Sequence, residues 1–161
     1  MDNKFDLSVF HHTIKEKVKF HEVDMMSVVN NAVYLNYFED ARVKYLQDLK
    51  KKYQLKEIME DDSFFIMARN EINYLIPATF DDELIVYTKI EWIKNTSFCF
   101  KHIIINEKNN STIAVGGGIL VHIKLSSKEK QNLPSSFVSA IQDFEDGVLK
   151  KREWFTIFEF Q

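Results

Sequence analysis

The chain has a single cysteine, Cys99, in 161 residues. That excludes an intrachain disulfide and any zinc site built from several cysteines, and it suits a reducing compartment. No stretch approaches the roughly 18 apolar residues that a membrane-crossing helix requires. The opening MDNKFDLSVFHHTIKEKVKF scatters charges where a signal peptide would carry an apolar run. An excess of one charge sign is also missing. The 21 Lys+Arg against 24 Asp+Glu leave a formal charge of -3, which gives no general attraction for nucleic acid. Neither an internal repeat nor a low-complexity tract occurs. The composition, 45% apolar and 28% charged, is that of a globular protein, and the length suits one core. The expectation is a cytoplasmic protein whose residues 1–161 form a single domain, with a core at about 14–125 and a C-terminal extension at 126–161.

Hydrophobic periodicity supplies the elements. Over 14–20, Ile14, Glu16, Val18 and Phe20 alternate with Lys15, Lys17 and Lys19, a period of two that predicts a strand with one wet face. The period changes after HEVDMMSVVNN. Tyr34, Phe38, Ala41, Tyr45 and Leu49 fall on one face of a helix of about five turns. Asn30 or Asn31 can cap its start, and Lys50, Lys51 and Lys52 suit its negative end. Four strand segments follow at 63–76, 83–93, 97–106 and 112–124. The links PATFDD, KNT and EKNNS are of the kind that join antiparallel neighbours, so a meander is expected. A short helix is predicted at 135–144. Periodicity alone therefore predicts an α+β chain with a large antiparallel sheet and one dominant helix.

The segment from Asp24 to Arg42, DMMSVVNNAVYLNYFEDAR, carries a spaced set: Asp24, Asn30, Asn31, Ala32, Tyr34, Phe38, Glu39, Ala41 and Arg42. Together with Asn73, Tyr74 and PATFDDEL, this set resembles the signature of the 4-hydroxybenzoyl-CoA thioesterase-like branch of the hotdog superfamily. The resemblance implies a hotdog fold, an antiparallel sheet wrapped around one long central helix. It also implies subunits that join sheets edge to edge as a homodimer or homotetramer, and an acyl-CoA site at their interface. Asp24 is then the catalytic residue, as nucleophile or general base. Two positions depart from the pattern: Ser27 stands where the family usually has Gly, and Val28 where many members have His.

The chemistry is sound on physical grounds. A thiolate departs readily, so one carboxylate can suffice if the thioester carbonyl is polarised. Backbone N–H groups near Asn30 and Asn31, at the positive end of the helix dipole, are the expected oxyanion donors. Tyr34, Phe64, Phe65 and Met67 are the candidates for lining the acyl pocket. The expected reaction is hydrolysis of an acyl-CoA to a free acid and CoA, with no cofactor. Two other readings are a hotdog hydratase or dehydratase, against which the missing His at position 28 argues, and a non-catalytic acyl-CoA-binding protein.

The remaining candidates read as structural. No metal site is expected, because His11, His12, His102 and His122 have no ligand-type spacing to His21. His11 and His12 are assigned to an N-terminal arm. Glu71 belongs to a solvated face beside Arg69. Cys99 has no adjacent base. Gly116, Gly117 and Gly118 lack the context of a phosphate loop and suggest a bulge or room for a close neighbour. Lys50–Lys52 could also meet CoA phosphates from a partner subunit.

Overall fold

The computed structural model describes residues 5–147. Its strands are β1 (His12–Lys17), β2 (Ser63–Tyr74), β3 (Glu83–Ile93), β4 (Ser97–Asn106) and β5 (Thr112–Lys124); its helices are α1 (Asn31–Tyr53) and α2 (Ser135–Phe144). The five strands form one antiparallel sheet in the order β1-β3-β4-β5-β2. The long helix packs across it, so the α+β hotdog arrangement holds. Tyr34, Phe38, Ala41, Tyr45 and Leu49 are all buried, together with Tyr37, Arg42 and Leu46. Each large apolar side chain so buried contributes about 1.5–3 kcal/mol.

Three expectations need correction. The first strand begins and ends earlier than the alternation suggests, because Phe20 enters a 3-10 turn, Phe20–Glu22, and the Val18 N–H turns to the Asp82 carbonyl. His12 therefore belongs to β1 and is buried, rather than lying in a free arm. The meander covers only β3, β4 and β5. β2 pairs with β5 at the opposite edge from β1, so the 75–82 link crosses the sheet rather than closing a hairpin.

The glycine run has a packing cause, and no register shift falls within it. A Cβ on Gly116 would run into the Phe38 ring and the Glu71 carbonyl, so the missing side chain lets α1 press onto β5. At the other end of the helix, Gln54 takes the left-handed conformation with φ 53° and donates its N–H to the Lys50 carbonyl. α2 closes that end by packing Phe137, Ala140 and Ile141 into the cluster that holds Tyr45, Leu49, Phe98 and Phe100.

Candidate active site

The chain enters α1 through a tight turn. Ser27 N–H donates to the Asp24 carbonyl at 2.9 Å, and Asp24 N–H donates to the Val28 carbonyl at 2.9 Å. Val23 and Val29 bridge just behind. This is a short hairpin whose last turn residue must be left-handed, and Ser27 is, with φ 62°. Glycine takes that conformation at no steric cost, which explains the family's Gly there. Ser27 thus keeps the same turn without it.

The turn also orients Asp24. Met26 N–H donates to Asp24 Oδ1 at 2.8 Å, while Oδ2 has no partner among the described residues. The carboxylate is exposed and held by one oxygen. Exposed apolar side chains flank it in the chain, Phe20, Met25 and Met26, and others are exposed on and before the crossover that bridges Val28 at Thr79, namely Phe80, Tyr74, Leu75 and Ile76. Phe20 and Phe80 meet edge to face at 5.7 Å. An apolar rim around a solvent-facing carboxylate suits an acyl group whose carbonyl must reach that carboxylate.

The helix cap decides which N–H groups remain. Asn30 is the N-cap, its side chain accepting the Ala32 N–H at 3.0 Å, and its carbonyl accepts the Val33 N–H at 2.9 Å. Asn30 N–H is itself spent on the Glu22 carbonyl, at 2.9 Å. Asn31 N–H, at the first helical position, has no intrahelical acceptor and no other among the described residues. Of the two Asn backbone groups, that of Asn31 is the one able to receive an oxyanion.

A clamp fixes the entrance. The 75–82 crossover passes over the start of α1, where Ala78 N–H donates to the Tyr34 hydroxyl at 3.0 Å and Val29 N–H donates to the Ala78 carbonyl at 2.9 Å. Tyr74 donates to the Asn31 carbonyl at 3.0 Å, and its ring meets Tyr34 at 5.5 Å. On the other side, the Glu22 carboxylate accepts the Tyr37 hydroxyl at 2.7 Å and the Lys19 N–H at 2.8 Å. Burial pushes the Tyr34 phenol up from its ordinary value; the Ala78 N–H opposes this, and the charges of Asp82 and Asp24 add to it. Tyr37 is driven up by burial and then by Glu22.

Asp24, Asn30, Asn31 and Tyr34 therefore come together at the helix entrance. Phe65 and Met67 do not join them: both pack against the far cluster, where Phe65 lies 5.0 Å from Phe98 and 5.3 Å from Phe137. Phe64, half-buried, is their neighbour near the start of β2. Sequence reasoning missed Glu22, Tyr37, Tyr74 and Ala78 as positioning residues. Tyr37 was open to detection, because it lies three residues after Tyr34 and four before Ala41 on the buried face. Glu71 is half-buried and lies 3.2 Å from Arg69. Among the described residues no group of three or more His, Cys, Asp or Glu could hold a metal. No described helix is long and apolar enough to cross a membrane.

The family model of the thioesterase-like superfamily matches residues 18–141. An acyl-acyl carrier protein thioesterase, ATL3 of Arabidopsis thaliana chloroplasts, is 26% identical over 133 residues, 83% of this chain and 68% of that protein. The acyl-CoA thioesterase YbgC of Haemophilus influenzae is 29% identical over 102 residues, 63% of this chain and 68% of its own length. Among solved structures, a Thermus thermophilus thioesterase complexed with coenzyme A and Zn superposes with a TM-score of 0.69 at 28% identity, covering 85% of this chain and 96% of that one. The model match spans well over half of the sequence and takes in the whole helix entrance, and the chain belongs to the thioesterase-like superfamily.

Proposed function

We propose that this thioester hydrolase acts on an acyl-CoA, with Asp24 as its catalytic residue and Asn31 N–H as the oxyanion donor. The observation that carries the reading is the pairing of a carboxylate held by one oxygen with an unspent N–H at the positive end of α1. Asp24 Oδ2 either attacks the thioester carbonyl carbon or removes a proton from a water that attacks it. Negative charge then gathers on the carbonyl oxygen, where Asn31 N–H and the helix dipole oppose it. The C–S bond breaks as the carbonyl reforms, and CoA leaves as thiolate and takes up a proton. Direct attack leaves an acyl-Asp24 anhydride that water hydrolyses; water attack gives the free acid in one step.

The acyl group lies against the apolar rim of Met25, Met26, Phe20 and Phe80. That rim and Asp24 are open to solvent in the single chain, which supports a homodimer or homotetramer as the working unit, with a second subunit covering the site. Absence of a membrane-crossing helix among the described residues and the single buried cysteine favour a cytoplasmic setting. The test is release of free thiol from short, long and aryl acyl-CoAs, and from acyl carrier protein thioesters, by wild type, Asp24→Asn and Asp24→Ala. Loss of at least a hundredfold in kcat is expected, the scale of removing a principal catalytic group. Full turnover by either variant would end the proposal, and tight binding of acyl-CoA without thiol release would favour a binding protein instead. Single turnover in 18O-water that labels the Asp24 carboxylate would show direct attack, with water opening the anhydride at the Asp24 carbon.

A further inference from the structure

The sheet has a second face, turned away from α1, and part of it is buried. Phe98 and Phe100 pack into the cluster between the two helices, so Cys99 between them points the other way. Cys99 is paired with Trp92 on one side and with Ile119 on the other. It is 0% exposed and Ile119 9%, yet neither belongs to the clusters beneath the helices or to the one that the N-terminal arm forms. Gly117, on the same face two residues before Ile119, is buried too. Glu71 stands opposite Gly117 and keeps its Oε2 out of solvent. An antiparallel sheet that meets water on one face carries polar, exposed side chains there, so a buried Cys–Ile row marks a covered face.

The N-terminal arm covers only part of it. Phe5, Leu7 and Phe10 pack with Tyr87 on Ile103, Ile105 and Val115. Cys99 lies four residues from Ile103 along β4, and Ile119 four from Val115 along β5, roughly 13 Å at the usual strand rise.

Residues 148–161 lie outside the described residues. Their sequence, VLKKREWFTIFEFQ, sets Trp154, Phe155, Ile157, Phe158 and Phe160 within seven positions. The run is aromatic and β-branched, without Pro or Gly, and suits a pleated, half-buried surface. Burying each large apolar side chain contributes about 1.5–3 kcal/mol, whereas the same run left in water is an aggregation hazard. The described chain ends where the run can be delivered. Beyond α2, the Glu145 carboxylate accepts the Ile90 N–H at 2.9 Å, and Asp146 lies 2.9 Å from His11. β1 stops at His12, opposite Thr88, so among the described residues no strand lines β3 from Lys89 to Ile93 and the chain has a path round that edge. Trp92 is two residues beyond Ile90, and its partner Cys99 is one strand spacing of about 4.8 Å further in. The linker 148–153 reaches up to roughly 20 Å.

We propose that residues 154–160 dock on this face of the sheet, over Trp92, Cys99, Gly117 and Ile119, and complete the cover that the N-terminal arm begins. The surface is separate from the Asp24 site and takes a segment of its own chain, which closes it to stacking against a second copy.

The test uses the full chain. With benzoylphenylalanine in place of Phe155 or Phe158, irradiation should give cross-links within one chain that map by mass spectrometry to 92–101 or 115–121. Mixing with isotope-labelled protein identifies links between copies. Thiol labelling of Cys99 reads the same cover from below. The pairs Trp154→Ser with Phe158→Ser, and Phe155→Ser with Ile157→Ser, strip the two alternating sides of the run. At least one pair should let Cys99 react about tenfold faster or more than wild type, with thermal unfolding still cooperative. If neither pair unfolds cooperatively, the cross-link map decides. Cross-links confined to the open β3 edge, to the helix entrance or to a second copy overturn the proposal. So does a native Cys99 as unreactive in both pairs as in wild type, which would mean that the sheet's own side chains bury it.

Discussion

Tyr34 and Ala78 are joined by one buried hydrogen bond, in which the Ala78 N–H donates to the Tyr34 hydroxyl at 3.0 Å. Through it the crossover from the edge strand β2 to β3 is pinned to the first turn of α1. The Ala78 carbonyl passes the restraint on by accepting the Val29 N–H. Tyr34 thus acts on Asp24 from a distance, as a positioning residue.

Tyr34→Phe tests this. It keeps the ring and its packing but strands a buried N–H, which costs about 1–3 kcal/mol. Urea unfolding should show a loss of that size. Turnover should fall chiefly in kcat, because the displaced segment is the one that leads from Asp24 into the helix. A variant as stable as wild type would show that the crossover is held by other contacts.

Ser27→Gly should act in the opposite direction. The left-handed backbone at φ 62° costs a non-glycine residue about 1 kcal/mol, partly offset by the greater freedom glycine has in the unfolded chain. A gain of about 0.5 kcal/mol is expected from thermal unfolding, with thioester hydrolysis retained because the Asp24–Ser27 turn bond is a backbone bond. A clear loss of stability would mean that the Ser27 side chain itself holds the turn.

Much of this was legible in the sequence, for a local reason. Bounds at 83–93, 97–106, 112–124 and 135–144 agree with β3, β4, β5 and α2, because alternation and turn residues act over a few positions. The pairing of β2 with β5 was not, since register across some fifty residues leaves no local trace. Nor does alternation show where pairing ends: Val18 and Phe20 continue the pattern of β1, yet the chain turns away at Lys17. At the site, the resemblance carried by the Asp24–Arg42 segment led to Asp24, Asn30 and Asn31. It could not show that Asn30 N–H is consumed by Glu22. The burial of His12 in β1 was hidden as well, because a polar residue read alone is assigned to the surface.

Cys99 offers a control for the thiol-release assay. Burial, followed by the charges of Glu91 and Glu71, pushes its thiol up to about 12, and the side chain is fully buried. The native protein should therefore give no signal with a thiol-reactive dye, and one equivalent after unfolding in guanidinium. Rapid labelling of the native chain would place Cys99 at a surface that opens readily.

Glu145 gives the fold a pH dependence of defined sign. Its carboxylate caps the Ile90 N–H on β3, beyond the last residue that β1 pairs, and accepts the Tyr45 hydroxyl. Its other oxygen is buried without a partner. Burial raises its pKa above the ordinary 4.5; the bonds from Tyr45 and Ile90, then Lys89 and His11, oppose the rise without cancelling it. The folded chain therefore binds more protons than the unfolded one just above 4.5. The stability that protonated Glu145 contributes is complete below that value and is lost as pH climbs through the raised one. Glu145→Gln is neutral throughout, and its amide oxygen can still accept from both Tyr45 and Ile90. The difference in thermal midpoint between variant and wild type should accordingly be smallest below 4.5 and move in favour of the variant toward neutral pH. A difference that is flat with pH would show that Glu145 keeps an ordinary pKa in the fold.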